Sequence, residues 1–250
     1  FAVITAYFLV GLSPDMTWLN IGADQASYVI AAKTGAGAGL SGAPLYILLG
    51  GILLRIPGLS SLNPFWVLGL LSALPAVGTC IMVFLITKKL TKNSFSPYLA
   101  ALVFATAFAV WSEATITETY MTATMAMSFT VYFCVTKRWK SMGIAQAVSL
   151  GLHPLTIFAT IPCLVFMWLD KRNTKQLGLV LLIVSAGLIF QLRNTFVSHP
   201  TTNTFFLDSP VSTLITSAGG YFGLTAWPIA SSVQRAWENF LVFGSTLWAV

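Results

Sequence analysis

Long apolar runs separated by short polar segments dominate the pattern of this chain. Such runs cover 65–87, 97–112, 119–136 and 176–192, and none of them contains a charged residue. A helix needs about 20 apolar residues to cross the hydrocarbon core of a bilayer, whereas the strands of a membrane β-barrel alternate apolar and polar positions. Because the runs are continuous, the pattern predicts an all-α, polytopic integral membrane protein.

Two apolar segments depart from this scheme. The stretch 141–169 has His153 at its centre, followed by a proline. Since proline interrupts helices and restricts the residue before it, the stretch predicts two short spans with His153 at the outer turn between them. The stretch 43–57 is short for a full crossing and predicts a re-entrant or interfacial helix on the outer face.

Charge is sparse and unevenly placed along the chain. Only 8% of the 250 residues are charged, 56% are hydrophobic, and the net charge is +6; a typical soluble domain carries about 25% charged residues. The basic residues cluster at the ends of apolar runs, which is typical of membrane topology rather than of nucleic-acid binding. The positive-inside rule places these clusters in the cytoplasm and the loops 13–64 and 193–235 outside. The clusters are Lys88–Lys89–Lys92, Lys137–Arg138–Lys140 and Lys171–Arg172–Lys175.

Both ends of the chain fall inside apolar runs, since 1–12 is apolar and the chain stops at Val250 within another run. We therefore expect a single transmembrane domain over 1–250 that is truncated at both ends. The three cysteines lie in apolar stretches without the spacing of metal ligands. The sequence thus predicts neither a metal nor a cofactor.

Two acidic residues on the predicted outer side are candidates for chemistry. Asp24 lies in an apolar and aromatic context, where desolvation would raise the pKa of a carboxyl group and suit a general base; the alternative is an N-cap of the helix that follows. On a helix, Thr115, Glu118 and Thr122 would share one face, which predicts a polar stripe entering an apolar span. Ionisable groups in membrane segments are functional candidates because burying them is costly.

His153 and Arg193 fall on the same predicted side. His153 would either close a helix end by bonding a backbone carbonyl or belong to a site. Arg193, at the outer end of the run 176–192, breaks the positive-inside pattern, and its planar fork of donors suits a phosphate; snorkelling to lipid headgroups is the alternative. We predict that Asp24, Glu118, His153 and Arg193 converge on one outward-facing cavity.

The order of these motifs resembles the family of transmembrane O-mannosyltransferases within the GT-C superfamily, whose members use polyprenyl-phosphate sugars. That family has an acidic motif in its first external loop, followed by a Gly-Tyr-Pro-Leu-Tyr-like stretch. A Trp-Ser stretch with a later Glu-x-Tyr, a Gly-x-His turn and an Arg with an Asp-Pro loop come after it. The similar positions extend over roughly residues 1–225 and include, in chain order, Asp24, Gly42, Pro44, Leu45, Tyr46, Trp111, Ser112, Glu118, Tyr120, Gly151, His153, Leu155, Thr156, Arg193, Pro200, Asp208, Pro210, Gly220 and Tyr221.

The resemblance implies a GT-C-like helical bundle with interfacial helices in the external loops. It also implies inverting transfer of a sugar, mannose in type, from a polyprenyl phosphate to a hydroxyl of a protein or glycan acceptor. Asp24 would be the catalytic base, and Arg193 would stabilise the departing phosphate. The membrane would be a bacterial inner membrane or, alternatively, that of the endoplasmic reticulum. The substrate-binding residues would be Tyr46, Glu118, His153, Arg193 and Asp208.

Two departures from the family pattern leave other functions open. Ser27 replaces the glutamate of the first acidic motif, and 39–41 replaces a His-Pro-Pro stretch. The alternative function is therefore a catalytically inactive GT-C-fold subunit that supports partner subunits of a membrane complex. A transporter for lipid-linked sugar is a third hypothesis, which the scarcity of polar residues on the predicted inner side disfavours.

Overall fold

Helices provide the regular structure of the described part of the chain, which comprises residues 1–15, 23–35, 43–170 and 174–197 of this computed structural model. No strand occurs within those ranges, so the all-α prediction is confirmed for them. They belong to one compact unit. The helices are α1 (Ala2–Gly11), α2 (Ala23–Thr34), α3 (Pro44–Leu53), α4 (Pro64–Leu90), α5 (Ser96–Thr106), α6 (Phe108–Ala114), α7 (Tyr120–Val135), α8 (Trp139–Leu152), α9 (Ile157–Leu169) and α10 (Thr174–Val197), with a 3-10 turn at Pro154–Thr156.

Local chemistry explains the bounds of α4, which match the predicted run 65–87. The Asn63 side chain caps the helix by accepting a hydrogen bond from the Phe65 backbone N–H at 2.9 Å. A proline occupies the first turn, where its missing N–H group is not needed. Lys88 and Lys89 lie in the last turn, where the helix dipole favours cations.

Length and apolar character identify α4 as a helix that can cross a membrane. The pair α5 and α6 provides a second candidate if the two are counted as one broken span. The other apolar helical stretches of the described ranges are 10 to 17 residues long, including Gln176–Gln191 of α10. The described residues therefore contain one or two candidate spans, and the larger number of crossings expected from the sequence remains a prediction.

The run 97–112 is not one straight helix, so the single span predicted there would be a broken one. The helix α5 ends at Thr106, Ala107 is extended, and α6 leaves at an angle of 63°. The bend carries Val110 and Ala114 into a cluster of buried apolar residues from α1 and α4. Apolar burial in that cluster offsets the helical hydrogen bonds that are lost at the break.

The central helices pack in sequence, α4 on α7, α7 on α8, and α8 on α10. The contact between α8 and α10 is close, because a Cβ atom built on Gly187 would lie 2.7 Å from the Cα atom of Ala147. A Cβ atom on Gly151 would lie 2.5 Å from Cδ1 of Leu45. Glycines therefore let α10 approach the middle of α8 and let α3 approach its C-terminal end.

The helix ends divide into what we call a polar end and a basic end. The polar end holds Glu118 just before α7 and His153 just after α8. At the basic end Lys88 closes α4, and Lys137, after α7, forms a 3.0 Å ion pair with Asp170, after α9. This separation agrees with the predicted placement of the first two basic clusters opposite Glu118 and His153, whereas the side chains of the third cluster, 171–175, lie outside the described atoms.

The surface and the interior have an unusual distribution of polarity. Large apolar side chains face outward on several helices, with exposed fractions of 88% for Val10, 74% for Phe108 and 68% for Leu182. Many of the buried side chains are polar, and those of Ser72 and Ser149 are fully buried. Water-soluble monomers rarely expose large contiguous apolar surface, so this arrangement favours an apolar environment around the helices.

Candidate functional site

The polar end is built around the segment 115–119, which joins α6 to α7. The Ser72 hydroxyl on α4 donates to the Glu118 carbonyl at 2.9 Å and accepts from the Glu118 N–H at 3.1 Å. Thr117 Oγ1 donates to the Phe65 carbonyl at 2.8 Å. These bonds fix the segment on the first half of α4 and give the Glu118 backbone one defined position.

The prediction that Thr115, Glu118 and Thr122 share one helix face is wrong, because 115–119 is not helical. All three side chains are buried, but Thr115 closes α6 and only Thr122 lies within a helix, α7. Thr122 Oγ1 donates to the Leu71 carbonyl of α4. Hydrogen bonds to a distant helix replace those of a continuous helix, and residue spacing alone could not predict this.

The Glu118 side chain is only 5% exposed and lies near the phenol of Tyr46. Its Oε2 atom accepts a hydrogen bond from the Thr119 N–H at 3.3 Å. Burial raises the pKa of the Tyr46 phenol, and the negative charge of Glu118 raises it further. The Tyr46 hydroxyl stays protonated and donates to the Leu68 carbonyl at 3.4 Å. The predicted substrate residues Tyr46 and Glu118 are thus brought together.

Tyr46 also connects this region to α2, the helix that carries Asp24. The rings of Tyr28 and Tyr46 meet edge to face with centroids 5.2 Å apart. Asp24 precedes Tyr28 by four residues, one turn of the same helix. The helix begins at Ala23, so Asp24 lies within the first turn of α2 rather than at an N-cap before it. The Asp24 side chain lies outside the described atoms, and its predicted role as catalytic base remains a prediction.

His153 forms the predicted turn between α8 and the next helical segment. Its Nδ1 atom accepts from the Leu155 N–H at 3.3 Å, so the ring nitrogen bonds a backbone donor rather than the carbonyl that a simple cap would use. Burial lowers its pKa to about 4, so the imidazole is neutral near pH 7, with its proton on Nε2. Its ring centroid lies 5.1 Å from that of Tyr120, two residues after Glu118.

A cavity of about 200 Å³ opens beside His153. It combines the imidazole and three hydroxyl-bearing side chains with an apolar wall, as binding sites for small polar molecules often do. The cavity lies at the polar end, beside the first turns of α7. The lining residues are Tyr120, Ala123, Thr124, Met127, His153, Leu155 and Thr156.

The structure gives less information on the two remaining predicted site residues, Arg193 and Asp208. Arg193 belongs to α10, three residues after Phe190, and a Cβ atom on Gly151 would lie 3.6 Å from the Phe190 ring. The C-terminal part of α10 therefore reaches the same end of α8 as His153, while the Arg193 side chain lies outside the described atoms. Asp208 falls outside the described residues.

Sequence reasoning missed a second region, between α2 and α3. Two adjoining cavities of about 390 and 190 Å³ both border Ala32, Gly51 and Arg55, and the smaller one also borders Lys33. Arg55 is the one charged residue of the apolar stretch 43–57, which was the signal available in the sequence. Its cavities could not be predicted because they depend on the packing of α3 against α2.

Comparisons with protein-family models, with curated proteins and with solved structures each found no match to this chain. Function is therefore inferred from the described residues, together with the order of motifs along the chain.

Proposed function

We propose that this chain is a polytopic membrane glycosyltransferase of the GT-C type. It transfers a sugar, mannose in type, from a polyprenyl phosphate to an acceptor hydroxyl on the extracytoplasmic side. The observation that carries the proposal is that Tyr46 lies near Glu118 and that His153 packs against Tyr120, two residues after Glu118, all at the polar end. Outward-facing apolar side chains support the membrane setting.

The reaction is a direct displacement at the anomeric carbon. The acceptor oxygen forms a bond to that carbon while the bond to the phosphate oxygen breaks, and the polyprenyl phosphate leaves with the electron pair. Asp24 takes the acceptor proton, and Arg193 stabilises the negative charge of the leaving group. Both roles come from the family resemblance and from the positions of the two residues on α2 and α10.

The described side chains would position the substrates rather than exchange protons with them. The neutral His153 has an N–H donor on Nε2, suited to a sugar or acceptor hydroxyl at the adjoining cavity. Glu118 is an acceptor held by the Thr119 N–H, and Asp208 would contact substrate from the later loop. No cofactor enters this scheme, since the lipid-linked sugar is itself the activated donor.

The test is transfer of radiolabelled mannose from polyprenyl phosphate in membranes that contain the full chain. Asp24→Asn keeps the size of the side chain and removes the base, so we expect a loss of at least about 100-fold in rate. Asp15→Asn is the matched control, because Asp15 is an exposed carboxylate that accepts from the Asn63 side chain. Full activity of Asp24→Asn, at normal protein levels, would remove Asp24 from the mechanism.

The alternative is an inactive subunit with the same fold, favoured by the exposed Ser27 in place of an acidic residue. In that case the wild-type chain would transfer no sugar from any polyprenyl phosphate tested. It would instead co-purify with other membrane subunits in fixed proportion.

A further inference from the structure

The two cavities between α2 and α3 form one groove, defined here by Lys33, Ile47, Leu48, Gly51 and Arg55. The larger cavity, of about 390 Å³, has a mainly apolar wall, to which Phe190 of α10 also contributes. The smaller, of about 190 Å³, contains the two cationic residues Lys33 and Arg55. The groove therefore has an apolar part and a cationic part that meet at Gly51 and Arg55.

Gly51 sets the position of the guanidinium group. A Cβ atom at this position would lie 3.0 Å from the Ala32 carbonyl oxygen and 3.0 Å from Nη1 of Arg55. Nη1 donates to the Gly51 carbonyl at 2.9 Å, which fixes the side chain where the two helices meet. A guanidinium has five N–H groups, so most of its donors are not used by this bond.

The positive charge of the groove is not neutralised by the described residues. Neither Lys33 nor Arg55 takes part in an ion pair within the described ranges, and no acidic residue is among those that line the two cavities. Two cations at the edge of an apolar surface attract anionic lipid headgroups. Arg in particular matches the oxygens of a phosphate.

Exposed hydrocarbon side chains lie on the same two helices as the apolar part of the groove. Ile30 on α2 and Leu48 and Ile52 on α3 are all more than half exposed. A molecule that fills both parts of the groove would therefore combine an apolar chain with a negative charge. A free phosphate or a soluble anion would leave the apolar part unused.

We propose that this groove binds an anionic membrane phospholipid. The phosphate contacts Arg55 and Lys33, and one acyl chain lies along the larger cavity past Ile47 and Leu48. None of the residues that line this groove is assigned a role in sugar transfer. The proposal holds whether or not the chain transfers sugar.

The test is native mass spectrometry of the full chain in detergent, titrated with phosphatidylglycerol or with phosphatidylcholine. We expect tighter binding of phosphatidylglycerol, and a loss of about thirtyfold in its affinity in Lys33→Gln/Arg55→Gln, since each cation near a charged headgroup contributes about one factor of five. Lys88→Gln/Lys89→Gln at the basic end removes the same charge and should leave this binding unchanged.

Three results would overturn the proposal. The first is that the wild type binds phosphatidylglycerol and phosphatidylcholine equally tightly. The second is that both double variants weaken the binding of phosphatidylglycerol to the same extent. The third is that Lys33 and Arg55 are needed for binding a polyprenyl phosphate but not for binding phosphatidylglycerol. That result would make the groove part of the donor site. If the double variant does not fold, Lys33→Gln alone decides, because Lys33 makes no described side-chain hydrogen bond; a loss of about fivefold is then expected.

Discussion

Replacing Ser72 by alanine tests whether the polar end depends on a single hydroxyl group. Ser72 is fully buried on α4, and its hydroxyl both donates to and accepts from the backbone of Glu118. The variant removes both hydrogen bonds and leaves buried backbone groups with fewer partners. At about 1 to 2 kcal/mol for each bond lost in this way, we expect a loss of about 2 to 4 kcal/mol in the free energy of unfolding.

The measurement is thermal unfolding of the detergent-solubilised chain, where such a loss lowers the apparent midpoint by roughly 4 to 16 °C. Ser128→Ala is the matched control, because the Ser128 hydroxyl is also buried but donates only within its own helix, to Thr124 at 2.6 Å. We expect that control to change the midpoint by less than about 2 °C. Equal shifts in the two variants would refute the idea that Ser72 holds the segment before α7.

Two further predictions concern His153 and the contact between α8 and α10. In the unfolded chain the His153 imidazole binds a proton below about pH 6.5, whereas the buried imidazole does so only below about pH 4. The free energy of unfolding should therefore fall by up to about 3 kcal/mol as the pH drops through this window. His153→Gln should abolish this pH dependence, and an unchanged pH dependence would contradict the burial argument. Gly187→Ala should destabilise by about 1 to 3 kcal/mol, because its Cβ atom meets the Ala147 backbone, whereas Gly178→Ala, with nothing within 4 Å, should be neutral or stabilising in the same unfolding assay.

The elements that could be predicted from the sequence are those whose limits are set by nearby residues. The helix α4 is bounded by Asn63 and by the lysines of its last turn, and both are visible in the sequence. The turn at His153 follows from the proline after it. In each case the local preference of the backbone and the tertiary structure agree.

The elements that could not be predicted depend on contacts between distant residues. Nothing near Ala107 marks the 63° bend, which is stabilised by packing against α1 and α4. A helix through Thr115, Glu118 and Thr122 would place the three side chains on one face, but Ser72 and the Phe65 carbonyl hold the segment before α7 in another conformation. Likewise, Arg55 lines a groove only because Gly51 lets α3 lie against α2.

The hydrogen bonds that tie Tyr46, Thr117 and Thr122 to α4 all end on main-chain carbonyls, those of Leu68, Phe65 and Leu71. Any residue that keeps α4 helical supplies the same acceptor, whereas the donor must come from a polar side chain. The residues of α4 that supply only a backbone carbonyl should therefore tolerate substitution better than the residues that supply a side-chain donor. A saturation library selected for folded protein should retain hydrogen-bond donors such as hydroxyl groups at positions 46, 117 and 122, and should accept a wider range of apolar side chains at the partly buried positions 65 and 71.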